Sequence, residues 1–450
     1  MKLGFFHKAC FDNYLNIRKI VNMKVLVLAP HQDDEIILCG CFLKNLIKKG
    51  NDVYIVFMTN GNYERTVHTV RLEEALRVGV LYGMPEDNII FMGYANEYDI
   101  NEPHIYNAPN TKVLHSQYGI SETYGLQSHP EYCFQKYGIH HEYTRQNLIN
   151  DLTSIIDELH PDLIFATGEE IHPDHSANSL FLDEVLGNIF NRDDYYRPMV
   201  LKKPEYSTAW FGPADYSDIN NPPAIFDYKI PRAFVNGHRS FFYDPYLRWN
   251  DRVSIPSDSD APKLLRDALM QYSSQDAIKH FEMLMNSDVV FWLRRTDSLT
   301  YNSQISCSSG EPWYLHDFKR NDTSDLKRKQ QDIWEQDASI WRPSESDITP
   351  CIYIDFGSRV VIREIVIYQE YCSRCLVRDC CIRDENENVI WRGPLEKKRA
   401  TSVLFQNVET RKLTIQILKC VNRGYNQPGI TEIEVFSCDM SAVLNDYFMN

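Results

Sequence analysis

From Met23 to about residue 300, short apolar runs alternate with longer stretches of helical period. Residues 24–28, 53–58, 89–92 and 162–166 are apolar on both faces, the pattern of strands covered on two sides. Between the first two, Ile36, Cys39, Phe42, Leu43, Leu46 and Ile47 recur near helical spacing, and Gly50 follows as a terminator, predicting one helix over 36–49. Residues 64–80 and 144–159 predict two more helices, and helical character returns from Ala261 to about Met285. The expected first unit is α/β: a Rossmann-like parallel sheet flanked by helices.

Further along, the period changes. Residues 351–356, 362–368, 412–417 and 430–436 alternate apolar with polar positions and no helical stretch separates them, which predicts an all-β jelly-roll-like sandwich. A chain of 450 residues also exceeds what one core usually serves. The expected division is an N-terminal extension (1–22), an α/β domain (23–300), a connector (301–335), a β-sandwich (336–440) and a C-terminal tail (441–450). Residues 96–141 are rich in Tyr, His, Asn and Pro, which suits a pocket-forming excursion at the rim of the sheet, with an ordinary surface loop as the plainer reading. Residues 201–256 read as loop.

Charge narrows the partners. With 62 acidic and 47 basic side chains the formal charge is -15 and no basic run interrupts it, so nucleic acid is not an expected partner. The first residues lack a secretory signal and no stretch has the length of a membrane span, which gives an expectation of a cytoplasmic protein without a membrane span. The 12 cysteines are spread along a chain rich enough in apolar residues to fold without staples, so thiols are expected. One alternative is a zinc site at Cys372, Cys375, Cys380 and Cys381, which contain a single CxxC.

The chemistry concentrates in two places. Ala29-Pro30-His31-Gln32-Asp33-Asp34-Glu35 follows the first strand, and His172-Pro173-Asp174-His175 follows the strand at 162–166. His31 and Asp34 lie three apart in one turn, and His175 can reach them from the end of a parallel strand. Two imidazoles and a carboxylate suit Zn2+, with Fe2+ or Mn2+ as alternatives. Asp33, diverging from its neighbour, is then placed to take a proton from water, and His172 to stabilise a developing oxyanion as imidazolium or neutral donor. Glu35 is expected to cap or brace, and Asp174 to support rather than ligate. The plainer reading is a capped helix and a polar loop.

These motifs, with Thr59-Asn60-Gly61 and Arg71-Leu72-Glu73-Glu74-Ala75, resemble the PIG-L or LmbE-like family of metal-dependent carbohydrate de-N-acetylases over about residues 22–300. The resemblance implies that His31, Asp34 and His175 bind zinc, that Asp33 is the general base and that His172 stabilises the tetrahedral intermediate. It associates Arg71 with substrate, the alternative being a salt bridge to Glu74 or another acid. Gln32 departs from the proline usual in the first motif, which questions local geometry. Glu170 stands where some relatives carry a tyrosine acid, leaving the donor to the leaving amine among Glu170, His172 and metal-bound species. The implied partner is an N-acetylated sugar or glycoconjugate, such as one bearing N-acetylglucosamine. Tyr98, Tyr106, Tyr124 and Trp210 are candidates to line a sugar-sized cleft.

The second unit is similar, more weakly, to a discoidin-type, galactose-binding-like sandwich, through Trp341-Arg342-Pro343, residues 352–357, residues 365–368 and residues 429–435. It is expected either to hold glycan or to cover a hydrophobic face of the first domain. The sequence therefore points to a zinc-dependent N-acetyl sugar deacetylase of unknown oligomeric state. Alternatives are an amidase acting on a sugar-thiol conjugate, or a glycan-binding protein with an inactive hydrolase domain.

Overall fold

A computed structural model of the chain describes residues 20–62, 68–168, 172–203, 252–280, 288–319, 340–370, 376–396, 400–421 and 427–438. Glu170, Trp210, Cys372, Cys375, the start of the helix expected at 64, the end of the 301–335 connector from residue 320 on and the C-terminal tail lie outside them, as does nearly all of the N-terminal extension.

The first unit runs β1 (Lys24–Ala29), α1 (Asp34–Cys39), α2 (Leu43–Lys48), β2 (Asp52–Thr59), α3 (His68–Tyr82), β3 (Ile89–Tyr94), α4 (Tyr132–Tyr137), α5 (Arg145–Leu159), β4 (Leu163–Thr167), α6 (Pro173–Phe190), β5 (Met199–Lys203), β6 (Arg252–Pro256), α7 (Ala261–Gln271) and β7 (Asp288–Arg294). Its seven strands are ordered β3-β2-β1-β4-β5-β7-β6. The first five are parallel, whereas β7 runs antiparallel to both β5 and β6. The fold is thus the expected α/β sheet with an antiparallel edge added by β6, in a stretch read as loop, and by β7, where no element was predicted.

Alternation along the strands builds two cores. Val25, Val27, Ile55, Phe57 and Phe165 face α1, α2, α3 and α7, while Leu26, Leu28, Val56, Met58 and Ile164 face α5 and α6. The stripe on α5, made by Leu148, Leu152, Ile155 and Ile156, is buried as its spacing predicts, and Thr144 Oγ1 caps the helix by accepting from Asn147 N at 3.1 Å.

One predicted helix is broken. Residues 36–49 form α1 and α2 with Gly40-Cys41-Phe42 between them. The Gly40 carbonyl accepts from Tyr82 OH at 3.2 Å and the Cys41 carbonyl from Asp258 N at 2.8 Å, so both leave the helical ladder for tertiary partners. A Cβ at Gly40 would lie 2.6 Å from Leu265 Cδ2, which shows how closely α7 packs on the break.

The second unit is an antiparallel β-sandwich built from β8 (Gln304–Cys307), β9 (Cys351–Gln369), β10 (Val377–Arg383), β11 (Val389–Gly393), β12 (Thr401–Cys420) and β13 (Ile430–Phe436). The start of β9 pairs with β8 and with the end of β12, and the end of β9 pairs with β13 and the start of β12. Irregular register at Leu404/Val408 and Thr410/Lys412 marks where the two long strands change course. The stretch expected to be connector therefore already contributes β8 to this sheet.

The units meet through buried charge. Arg294 on β7 pairs with Glu434 on β13, and both are almost completely buried. Tyr301 OH donates to Glu432 at 3.1 Å and Tyr368 OH to Glu434 at 2.8 Å, while the Arg294 guanidinium lies 3.7 Å from the Phe318 ring centroid. No helix among the described residues is long and apolar enough to cross a membrane.

Candidate metal centre

Strand order reverses at the β1/β4 pair, because the chain leaves β1 toward β2 and returns to β4 on the other side. Loops leaving the carboxyl ends of such strands part in opposite directions and open a crevice. The first motif leaves β1 there and the second leaves β4. Asn178 on α6 fixes their relation: its Nδ2 donates to Leu28 O at 3.1 Å and to Thr167 Oγ1 at 2.9 Å, and Thr167 Oγ1 donates to His175 O at 2.9 Å.

The turn between β1 and α1 is strained at Asp33, whose φ of 120° is unusual for a residue with a side chain. It is over-determined by its surroundings. Asp33 O accepts from the amides of Ile36 and Ile37, and Asp33 N donates to Glu35 Oε2 at 3.0 Å. Glu35 in turn accepts from Tyr272 OH. Burial pushes the Glu35 carboxyl up to about 8, so it braces the turn mainly as a neutral group. Gln32, in the position where proline was expected, is fully buried and donates from Nε2 to Thr59 O at 2.7 Å, tying the turn to β2.

The three histidines of the two motifs converge. His31, His172 and His175 each offer a ligand atom, and these atoms all lie within 4.8 Å of one another. Asp34 sits between two of them, with Oδ2 2.9 Å from His31 Nδ1 and 3.3 Å from His175 Nε2. Burial works to raise the Asp34 pKa, but the adjacent His175 and His31 outweigh it and hold the carboxylate well below its usual range. Asp34 Oδ1 is buried without a hydrogen-bond partner among the described residues. An orphaned carboxylate oxygen beside clustered imidazoles fits a borderline divalent cation.

Asp33 is half-buried, and burial followed by the charge of Asp34 raises its pKa well above the usual carboxylate range, opposed by Arg71 and the histidines. His172 caps α6, with Nδ1 accepting from Asp174 N at 3.3 Å. Burial, reinforced by His175, lowers its pKa to about 3, which keeps the ring neutral. Because Nδ1 accepts, the proton of the neutral ring belongs on Nε2.

Asp174 contacts two histidines. Its Oδ2 lies 3.1 Å from His31 Nε2 and its Oδ1 2.9 Å from His104 Nε2. His104 comes from the 96–141 excursion and was not among the predicted site residues. Its only signal was a histidine within a run of polar aromatics.

Arg71 is placed beside the turn rather than paired with Glu74. Its guanidinium donates to Gly61 O at 3.0 Å, to Gln32 O at 3.1 Å and to Gln275 Oε1, whereas Glu74 accepts from Ser273 and Ser274. Among the described residues Arg71 forms no salt bridge to Glu74, and it locks the loops after β1 and β2 together. Tyr98, Tyr106 and Tyr124 all lie within the excursion. Tyr98 and Tyr106 pack against the α5/α6 core.

The family model described as PIG-L: GlcNAc-PI de-N-acetylase matches residues 26–186, which include both motifs, so the N-terminal part of the chain holds a PIG-L/LmbE-like domain. No curated protein matches. Solved structures that match include the lectin domain of lectinolysin complexed with Lewis B antigen, at 16% identity over 32% of this chain and 99% of that one, TM-score 0.24. A Streptococcus pneumoniae fucose binding module, SpX-3, matches at 16% identity over 32% and 99%, TM-score 0.23. The family 32 carbohydrate-binding module of Clostridium perfringens NanJ in complex with galactose matches at 14% identity over 31% and 97%, TM-score 0.23. These are lectin and carbohydrate-binding modules.

Proposed function

We propose that this chain is a metal-dependent hydrolase that removes acetyl from an N-acetylated amino sugar or glycoconjugate. The observation that carries the reading is the meeting of His31, His172 and His175 around Asp34 at the carboxyl ends of β1 and β4, inside the segment matched by a de-N-acetylase family model.

His31, Asp34 and His175 would hold the cation, Zn2+ in the first instance, with Fe2+ or Mn2+ compatible with the same donors. His172 is kept outside this set because it is the most exposed of the three imidazoles, with 34% of its side chain accessible against 7% for His31 and none for His175. When bound, the cation supplies Lewis acidity toward the amide carbonyl and toward water.

The residues of the chain do the rest. Asp33 accepts the proton of the attacking water, a role that its raised pKa suits near neutrality. His172, neutral and protonated on Nε2, donates a hydrogen bond to the oxygen that gains charge as the carbonyl is attacked. The carbon–nitrogen bond then breaks, with acetate and the free sugar amine as products and a proton delivered to the nitrogen. Glu170 delivers that proton, or Asp33 passes on the one it took from water, while the neutral His172 ring keeps its Nε2 proton. Arg71 keeps the Asp33 turn in place and its charge next to the Asp33 carboxylate, and contacts substrate if the crevice admits it that far.

Asp33→Asn tests the reading. The variant is expected to fold and keep the same metal content while losing amine release from acetylated sugars by about 10²- to 10⁴-fold. Unchanged turnover in D33N would remove Asp33 from this role, and a metal-loaded wild-type chain that releases no amine from any acetylated sugar would overturn the deacetylase reading.

A further inference from the structure

Between β3 and α5, residues 95–144 contain little regular structure beyond α4 and a single 3-10 turn at Ile105–Asn107. This excursion nevertheless carries His104 to a defined position beside Asp174. A segment with few ladder hydrogen bonds needs other fastenings to hold a side chain at that precision.

A second cluster of metal-ligating groups lies where the excursion rejoins the body of the domain. Cys133 on α4, His141 on the returning loop and Asp151 on α5 each offer a ligand atom, and these atoms all lie within 4.8 Å of one another. Cys133 is fully buried, Asp151 is 2% exposed and the His141 side chain 18%. His141 Nδ1 is 2.9 Å from Asp151 Oδ1, and Tyr94 OH donates to Asp151 Oδ2 at 2.7 Å. Thr123 Oγ1 lies 3.0 Å from Cys133 Sγ.

Glu131 stands at the edge of this cluster. It is fully buried, its Oε1 lies 3.7 Å from Cys133 Sγ, and the same oxygen accepts from Thr123 and from His140. Its Oε2 is buried with no hydrogen-bond partner among the described residues. Neither Glu131 nor Asp151 receives a hydrogen bond from lysine or arginine among those residues. Two buried carboxylates and a thiol thus share imidazoles, hydroxyls and the His141 backbone amide, and Lys136 acts on Asp151 only through space. Hydrogen bonding alone leaves the Glu131 oxygen unpaid for its desolvation, a cost that a cation removes.

We propose that Cys133, His141 and Asp151 form a second cation site with Glu131 as the adjacent fourth donor, and that its ion clamps the excursion that delivers His104. One sulfur, one nitrogen and carboxylate oxygens from separate stretches of chain make a donor set suited to Zn2+. Four protein donors would close the coordination shell, so the role is structural rather than catalytic. Binding requires the thiol and the imidazole to give up their protons to solvent, and His141 then exchanges its contact with Asp151 for the shared ion. The site does not depend on the deacetylase reading.

Cobalt distinguishes this site from the centre at His31, Asp34 and His175, which has no sulfur. The full chain loaded with Co2+ is expected to show a thiolate-to-cobalt charge-transfer band in the near ultraviolet, and zinc analysis is expected to find two ions per chain. Cys133→Ser is expected to lose the band and one ion while the other stays bound. Asp151→Asn keeps the thiol and serves if C133S does not fold; it is expected to weaken cobalt binding at the sulfur-containing site by at least about tenfold. A loaded wild-type chain without the band, a band unchanged in folded C133S, or unchanged cobalt affinity in D151N overturns the proposal.

Discussion

Asp174 Oδ1 lies 2.9 Å from Nε2 of His104, a residue seventy positions earlier in the chain, while the other oxygen of the same carboxylate lies 3.1 Å from His31 Nε2. Burial acts against the Asp174 charge, but hydrogen bonds from both rings keep its pKa well below the usual carboxylate range. His104 therefore positions His31 through Asp174. His104→Ala is expected to lower zinc affinity at the first centre by about 10- to 100-fold without unfolding the chain. Titration with a competing chelator measures this, and an unchanged dissociation constant would show that Asp174 orients His31 unaided.

Gly61 sits where two side chains close on the backbone. Its φ is +57°, and a Cβ there would lie 2.5 Å from Gln32 Oε1 and 2.6 Å from Arg71 Cζ. Gly61→Ala must shift both side chains that lock the Asp33 turn and also pays about 1–2 kcal/mol for left-handed backbone. Lower turnover together with a lower urea midpoint is the expected pair of results. A variant with wild-type turnover would mean that the turn tolerates displacement of Arg71.

The Arg294–Glu434 pair joins the two sheets with almost no solvent contact. Glu434→Ala leaves the arginine charge buried without that partner and removes the acceptor of Tyr368 OH, an expected cost of about 3–5 kcal/mol. Denaturant unfolding of the full chain reads the effect. A loss below about 1 kcal/mol would show that the interface relaxes to admit water.

His316, packed edge-on to Trp313, has its pKa lowered to about 4 by burial. Below the ordinary value of 6.5 the unfolded chain takes up a proton that the folded chain refuses until about pH 4. Stability is therefore lost as pH falls through this window, and the loss is complete below it. His316→Asn is expected to flatten that part of the stability profile, with a difference of about 2–3 kcal/mol between pH 7 and pH 4. Parallel profiles for the two proteins would argue that the ring is solvated in the folded state.

Local periodicity determined much of this protein. The runs beginning at Lys24, Val53, Ile89 and Leu163 become strands because residues apolar on both sides need helices on both faces, and the stripe on α5 is buried for the complementary reason. Period-two stretches after Cys351 likewise specified an antiparallel sandwich. The two histidine-containing motifs were legible because each follows a predicted strand, at the end where parallel sheets open a crevice.

Other features depend on partners distant in sequence, which no local pattern records. The break at Gly40 comes from carbonyls captured by Tyr82 and Asp258, and β6 and β7 exist as strands because β5 offered an edge to pair with. Arg71 is committed to the carbonyls of Gly61 and Gln32 instead of to Glu74, since the fold turns Glu74 toward Ser273 and Ser274. His104 reaches Asp174 only because residues 95–144 fold back over the sheet. Residue type and spacing supplied the donors, and tertiary packing decided which of them share a carboxylate, because hydrogen bonds and ligation act over about 3 Å of space regardless of separation along the chain.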